Sequence, residues 1–265
     1  MTVPVDSPLS AQSCGCLAKL ARVPRSLLFS FGMIASIGIC APLVVVGFFL
    51  PFVQRYRISQ LWTRFNVWWL RVTCRIDYRL SGVEHVPDRP VIVMAKHQST
   101  WETLFLHQYL PPVAWVIKRE LLWLPLFGWA LALLRPIAIN RRAGTSAVKQ
   151  VIRKGVEHLR QGQWVLIFPE GTRTPPGARK RYGLGGAVLA AHSGHPILPV
   201  ALNAGEFWPR GGFLKRPGTV HVVFGPLIES VGRSPQELNR QVEDWIESTV
   251  ARISGFPVAP TVSGG

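Results

Sequence analysis

The sequence predicts an α/β domain, a central sheet of about seven strands flanked by helices, behind an N-terminal hydrophobic helical segment that anchors it to a membrane. Three observations carry this. Short apolar runs recur from position 76 onward, several without the alternation that marks a strand wet on one face. Helical periods of apolar residues fall between those runs. Ahead of both, residues 27–53 contain no charge at all, a stretch long enough to cross a hydrocarbon core of about 30 Å.

About 25 residues precede the uncharged run and no clean small-residue cleavage site follows it, so it reads as a retained anchor. Pro42 removes a backbone donor near its middle, which allows either a kinked span or two short helices dipping into one leaflet. Lys19, Arg22 and Arg25 precede the run, and Arg55, Arg57 and Arg64 follow it. That near-tie under the positive-inside rule favours the hairpin, held on the cytoplasmic face of the inner membrane. Between 55 and 71, arginines interleave with Trp62, Phe65, Trp68 and Trp69, which suits an interfacial helix and a core helix equally.

Strands are expected at 76–80, 91–94, 114–117, 137–139, 164–168, 197–202 and 220–224. Val148, Ile152 and Leu159 share one helical stripe. Ser234-Pro235-Gln236-Glu237 opens the last helix with a capping box and a proline in its first turn, and Leu238, Val242, Trp245 and Ile246 give that helix an apolar face. The chain therefore divides into a membrane-associated region at 1–75, an α/β domain at 76–254 and a flexible tail at 255–265.

The chain carries 30 Lys and Arg against 14 Asp and Glu, a formal charge of +16. Between 121 and 205 eleven basic residues face only Glu157 and Glu170. Such an excess draws polyanions. Nucleic acid is excluded as the partner because no zinc-finger spacing, aromatic RNP-like strand or recognition helix is visible. The four cysteines, Cys14, Cys16, Cys40 and Cys74, have no zinc spacing and read as reduced. His192 and His195, with His221, lack an acidic partner, so no metal is expected. Neither a Walker A loop nor a Gly-x-Ser-x-Gly elbow occurs.

Two short blocks concentrate the chemistry. His97-Gln98-Ser99-Thr100-Trp101-Glu102 offers a titratable base with a carboxylate five positions on, where a strand hands over to a helix. Residues five apart on an ideal helix differ by roughly 140°, so the pair meets only if His97 lies ahead of the first turn. Spacing alone also allows Glu102 to close a capping box with Ser99. Phe168-Pro169-Glu170-Gly171-Thr172-Arg173 follows a buried strand with a tight turn, which is either a plain strand-ending loop or a phosphate-binding turn.

With Lys118-Arg119-Glu120-Leu121, Ile139-Asn140-Arg141 and Pro196-Ile197-Leu198-Pro199-Val200, these blocks resemble the 1-acylglycerol-3-phosphate acyltransferases. Two departures stand out. Glu102 occupies the position where that family usually carries Asp, and Tyr182-Gly183 stands where many members carry an aromatic-Lys pair, leaving Lys180 and Arg181 nearby. The resemblance implies a catalytic domain in which His97 takes a proton from an acceptor hydroxyl and Glu102 orients its ring, with backbone amides near the helix start meeting the oxyanion. It also implies that Arg141, Glu170, Gly171, Thr172 and Arg173 bind the substrate: the arginines and the amides around Gly171 capture phosphate, and Glu170 orients Arg173 or a glycerol hydroxyl.

The reaction so implied moves a fatty acyl chain from a thioester to the sn-2 hydroxyl of lysophosphatidic acid, forming phosphatidic acid for phospholipid synthesis. No cofactor is needed. The co-substrate is acyl-CoA or acyl carrier protein, and the partners are a lysophospholipid acceptor and the membrane. The same chemistry on a lyso-ornithine lipid or another lysophospholipid, or a non-catalytic membrane protein that binds anionic lipid, are the alternatives.

Overall fold

The computed structural model describes residues 8–255, with the side chains of 8–19 and of Arg141 outside the described part. The tail beyond 255, Cys14 and Cys16 therefore lie outside the described side chains. Helix α1 (Pro8–Val46) runs unbroken through Pro24 and Pro42. A 3-10 turn at Gly47–Phe49 and Pro51 reverse the chain into α2 (Phe52–Cys74), which returns along α1. Hydrogen bonds from Trp62 Nε1 and Asn66 Nδ2 to Ser36 Oγ, and from Trp69 Nε1 to the Leu28 carbonyl, stitch the hairpin.

The Trp-rich stretch has one face in the core and one exposed. Tyr56, Val67 and Leu70 are buried, while Leu61, Phe65 and Trp68 are exposed. Helix α1 likewise buries Phe29, Ala41 and Val44 and exposes Leu27, Phe31, Ile34, Ile39 and Leu43.

The sheet contains strands β1 (Ile76–Ser81), β2 (Ile92–Ala95), β3 (Val113–Lys118), β4 (Ile137–Ile139), β5 (Trp164–Ile167), β6 (Ile197–Leu202) and β7 (Gly218–Phe224). All seven expected runs are strands. Their order is β1-β7-β6-β2-β5-β3-β4, parallel throughout except where β7 runs against β6. Every residue of β2, β5 and β6 is buried, as continuous apolar runs require when helices cover both faces.

On one face α2 and α3 (Trp101–Tyr109) cover the sheet, and Pro111-Pro112 after α3 prevent the helix from continuing. The other face carries α5 (Thr145–Arg160), α6 (Gly185–Ser193) and α7 (Pro235–Ile253). In α5 the buried stripe is Ala147, Val151, Gly155 and Leu159, with Val148 and Ile152 half-buried at its margin. The stripe rotates because Gly155 lets Leu189 of α6 approach to where a side chain would stand. Helix α7 is capped by Ser234 Oγ, which accepts from the Glu237 amide, but Glu237 pairs with Arg233 and does not reach back to complete the box. A short α4 (Phe127–Leu133) packs against α1 through Ala130, Ala41 and Val44.

Candidate active site

Strands β2 and β5 are parallel neighbours with Met94 opposite Ile167, so both chains leave the sheet at the same edge. That register brings together two blocks about seventy residues apart in sequence. His97 lies four residues before α3 begins, outside the helical turn, and its Nδ1 sits 2.9 Å from Glu102 Oε1. The same oxygen accepts the amides of Gln98 at 2.7 Å and Ser99 at 2.6 Å. Glu102 is thus both the helix-start acceptor and the partner of the histidine. A carboxylate oxygen already accepting two N–H groups can only accept a third, so Nδ1 carries a proton, and in the neutral ring the lone pair is on Nε2. Phe168 stacks on the imidazole with centroids 3.9 Å apart, fixing the ring plane.

His97 is held by its backbone as well. Its amide donates to Glu170 Oε2 at 3.0 Å, and its carbonyl accepts from the Thr174 amide at 2.8 Å. Gly171, at φ +68°, makes the turn between these contacts, in a backbone conformation that glycine adopts without penalty.

Glu170, expected to orient Arg173 or a glycerol hydroxyl, is instead buried beneath the site. Its Oε1 lies 3.1 Å from Lys96 Nζ, and Lys96 also meets Glu247 Oε1 of α7 at 2.7 Å. The Tyr182 hydroxyl donates to the same Glu247 oxygen at 2.9 Å. Burial, opposed by the Lys96 ammonium, pushes the Glu170 carboxyl up to about 7. With Glu170 protonated the buried cluster is one cation and one anion; ionised, it carries a surplus negative charge. Lys96 escaped the sequence reading because it looks like a polar flank of the motif. The available signal was its position at the end of a strand buried on both faces, where a side chain has no route to water.

The remaining predicted residues divide. Arg173 is half-buried and its Nη1 donates to Thr100 Oγ1 at 2.8 Å, which swings the guanidinium toward the start of α3 and leaves further N–H donors. Thr172 is half-buried on the same turn. The Gly171 amide does not stand open as a phosphate donor, because it closes the turn onto the Phe168 carbonyl at 3.1 Å. The helix-start amides of Gln98 and Ser99 are likewise committed to Glu102. The backbone of Arg141 opens a 3-10 turn after β4, and its side chain lies outside the described part. Lys180 and Arg181 are both exposed. Among the described residues no group of three or more His, Cys, Asp or Glu side chains has an arrangement able to hold a metal ion.

An apolar cavity of about 360 Å³ adjoins this centre, enclosed by α1, α2, α3 and α4. Met33, Ile37, Leu104, Ile117 and Leu131 line it, and Thr100, the Arg173 partner, belongs to its wall. One buried histidine also faces it. Trp115 Nε1 donates to His107 Nδ1 at 3.2 Å, so His107 Nε2 carries the proton and donates to Ser59 Oγ at 2.8 Å. Burial pushes His107 down to about 3, and the wall stays uncharged.

Residues 77–203 match the family model for Acyltransferase. A 1-acyl-sn-glycerol-3-phosphate acyltransferase of Pseudomonas aeruginosa is 49% identical over 218 residues, covering 81% of this chain and 84% of the relative. The enzyme of the same name from Saccharomyces cerevisiae is 30% identical over 190 residues, covering 67% of this chain and 62% of its own. The crystal structure of the 1-acyl-sn-glycerophosphate (LPA) acyltransferase PlsC from Thermotoga maritima superposes with a TM-score of 0.75 at 25% identity, covering 90% of this chain and 98% of that one. The chain belongs to the acyltransferase family, alongside the 1-acyl-sn-glycerol-3-phosphate acyltransferases.

Proposed function

We propose that this chain transfers a fatty acyl group from a thioester to the sn-2 hydroxyl of 1-acyl-sn-glycerol-3-phosphate. The observation that carries the reading is His97 with Nδ1 fixed on Glu102, which leaves Nε2 as the other ring nitrogen, beside both a half-buried arginine and an apolar cavity. Nε2 takes the hydroxyl proton as the oxygen attacks the thioester carbonyl. The tetrahedral intermediate collapses by breaking the carbon–sulfur bond, and the imidazolium returns the proton to the leaving thiolate. Glu102 holds the tautomer and stabilises the imidazolium. Because the acceptor oxygen attacks directly, no residue of the protein is acylated.

Arg173 meets the acceptor phosphate, where a planar fork matches two oxygens. Arg141 is the second candidate for this role. The cavity takes an acyl chain, its volume and lining being those of an apolar ligand pocket. Glu170 acts from below, through the His97 amide.

The α1–α2 hairpin holds the enzyme on one leaflet of the inner membrane, with the domain on the cytoplasmic side. Leu20–Phe49 is long and apolar enough to cross a bilayer. However, Phe29, Ala41 and Val44 pack along α1 against the rest of the protein, which favours a helix embedded at one surface. The basic surface suits acyl-CoA and acyl carrier protein alike as donor.

Purified protein in detergent, given lysophosphatidic acid with each thioester donor, should form phosphatidic acid. Lyso-ornithine lipid and lysophosphatidylglycerol are the comparison acceptors. Preference for either of them would overturn the assignment of the acceptor, and no transfer to any acceptor would overturn the reaction.

A further inference from the structure

The segment from Leu121 to Trp129 presents large apolar side chains to solvent. Trp123 is 67% exposed, Leu124 48%, Leu126 41% and Trp129 55%. This is a built feature. Leu126 has φ +61° and ψ −62°, and the Phe127 amide points back at the Pro125 carbonyl, a γ-turn that a leucine adopts only under strain. Gly128 secures the knuckle, since a side chain there would stand 2.5 Å from the Leu122 carbonyl oxygen.

The knuckle has an inner and an outer face. Inward, Leu121, Phe127, Ala130, Leu131 and Leu134 line the apolar cavity, and Ala130 packs on Ala41 and Val44 of α1. Leu121 is also exposed, so cavity wall and outer surface meet there. Outward, Trp123 and Trp129 are exposed on the segment whose helix α4 packs against α1, the helix of the uncharged run. Cations outnumber anions at this surface: the Arg119 guanidinium lies 5.9 Å over Trp123 and the Arg135 guanidinium 5.5 Å over Phe52 of α2, while the exposed Lys118 lies 3.7 Å from Glu120. Tryptophans backed by apolar surface and rimmed by cations match the boundary between lipid headgroups and acyl chains.

We propose that Leu121–Trp129 is a second membrane-inserting element, seated in an anionic leaflet beside α1, and that it forms the lip over which an acyl chain passes sideways from the bilayer into the cavity. Entry through this lip rests on the cavity being the acyl site. Lipid is the occupant that continuity with α1 and the cationic rim favour over protein.

Full-length protein, with its native cysteines replaced, would carry a nitroxide on Leu124→Cys or, as a reference, on Gln236→Cys at the exposed start of α7. Both would be placed in phosphatidylglycerol vesicles. The Leu124 label should collide with oxygen several-fold more than with a water-soluble nickel chelate, and the Gln236 label should show the reverse. A Leu124 label as open to nickel as the reference overturns insertion. Shielding that appears without vesicles and grows with protein concentration assigns the surface to a second copy and overturns it too.

The Trp123→Glu/Trp129→Glu variant changes only exposed positions. It should lose at least tenfold in rate on long-chain lysolipid presented in vesicles, yet keep its rate on short-chain, water-soluble substrates within twofold. Equal losses on both, or no loss on vesicles, overturn the portal. If the unmodified enzyme fails to acylate any lysolipid in detergent, the reaction assignment falls, while the label depths still decide the insertion.

Discussion

Glu102 and Glu170 are both fully buried, and both hydrogen-bond to His97, yet they are held in different ways. Glu102 gathers an imidazole N–H and two amides, all from within five residues. Its geometry follows from the turn before α3 and needs little else. Glu170 joins the His97 amide to an ammonium that is itself shared with Glu247, 151 residues beyond Lys96. One half of the site is thus made locally and aims the ring. The other depends on the whole fold and fixes the backbone beneath it.

Lys96→Met strikes the global half alone and should have the largest effect. Two buried carboxyls lose their counter-charge, which costs about 3–5 kcal/mol when one partner of a buried pair is removed. Urea unfolding would measure it, and Lys96→Met with Glu247→Gln should recover part of the loss. An unchanged midpoint in the single variant would erase the distinction between the halves.

His97→Ala removes the imidazole that the local half aims and keeps the backbone amide that Glu170 holds. Turnover should fall by about two orders of magnitude or more, with lysolipid binding and unfolding midpoint nearly unchanged. Near-normal turnover would sink the mechanism. Arg173→Lys keeps the charge and loses the planar fork. It should cost about tenfold, or about 1.4 kcal/mol, on lysophosphatidic acid and clearly less on monoacylglycerol; equal losses would make the arginine structural.

The global half should also answer to pH. The Glu170 carboxyl is raised from 4.5 to about 7 in the folded protein. The folded state therefore binds the extra proton between those values, and its contribution to stability is complete below 4.5 and lost as pH rises through about 7. Glu170→Gln should flatten that slope in unfolding free energy; a slope that survives the substitution belongs to another group. Glu102→Asp should be the mildest change, keeping turnover within a few-fold, because the local half can shift a short distance about its own turn. Glu102→Ala should instead impair turnover and destabilise α3 by up to about 2 kcal/mol. If Asp is as damaging as Ala, the local half is less tolerant than its short-range contacts suggest.

This division also accounts for what the sequence made legible. Strands β2, β5 and β6 show as continuous apolar runs because burial on both faces leaves no room for polar side chains, and the start of α3 shows because its contacts span only five residues. Lys96, Glu247 and Tyr182 do not show, since their meaning lies in which strands and helices become neighbours. The inward turn of Glu170 was hidden for the same reason. Of the two forms that Pro42 allows, the split into two short helices does not occur: packing of α1 against α2 and α4 keeps it helical through that residue.

The reach of Lys96 to Glu247 has a consequence during synthesis. A ribosome adding roughly 5–20 residues per second needs on the order of 8–30 s to travel from the first to the second. Throughout that interval the emerging chain already holds its histidine motif but not the α7 carboxylate that balances the lysine beneath it. A product cut short before the final helix would keep every motif that marks the family and lack the completed charge cluster under its histidine.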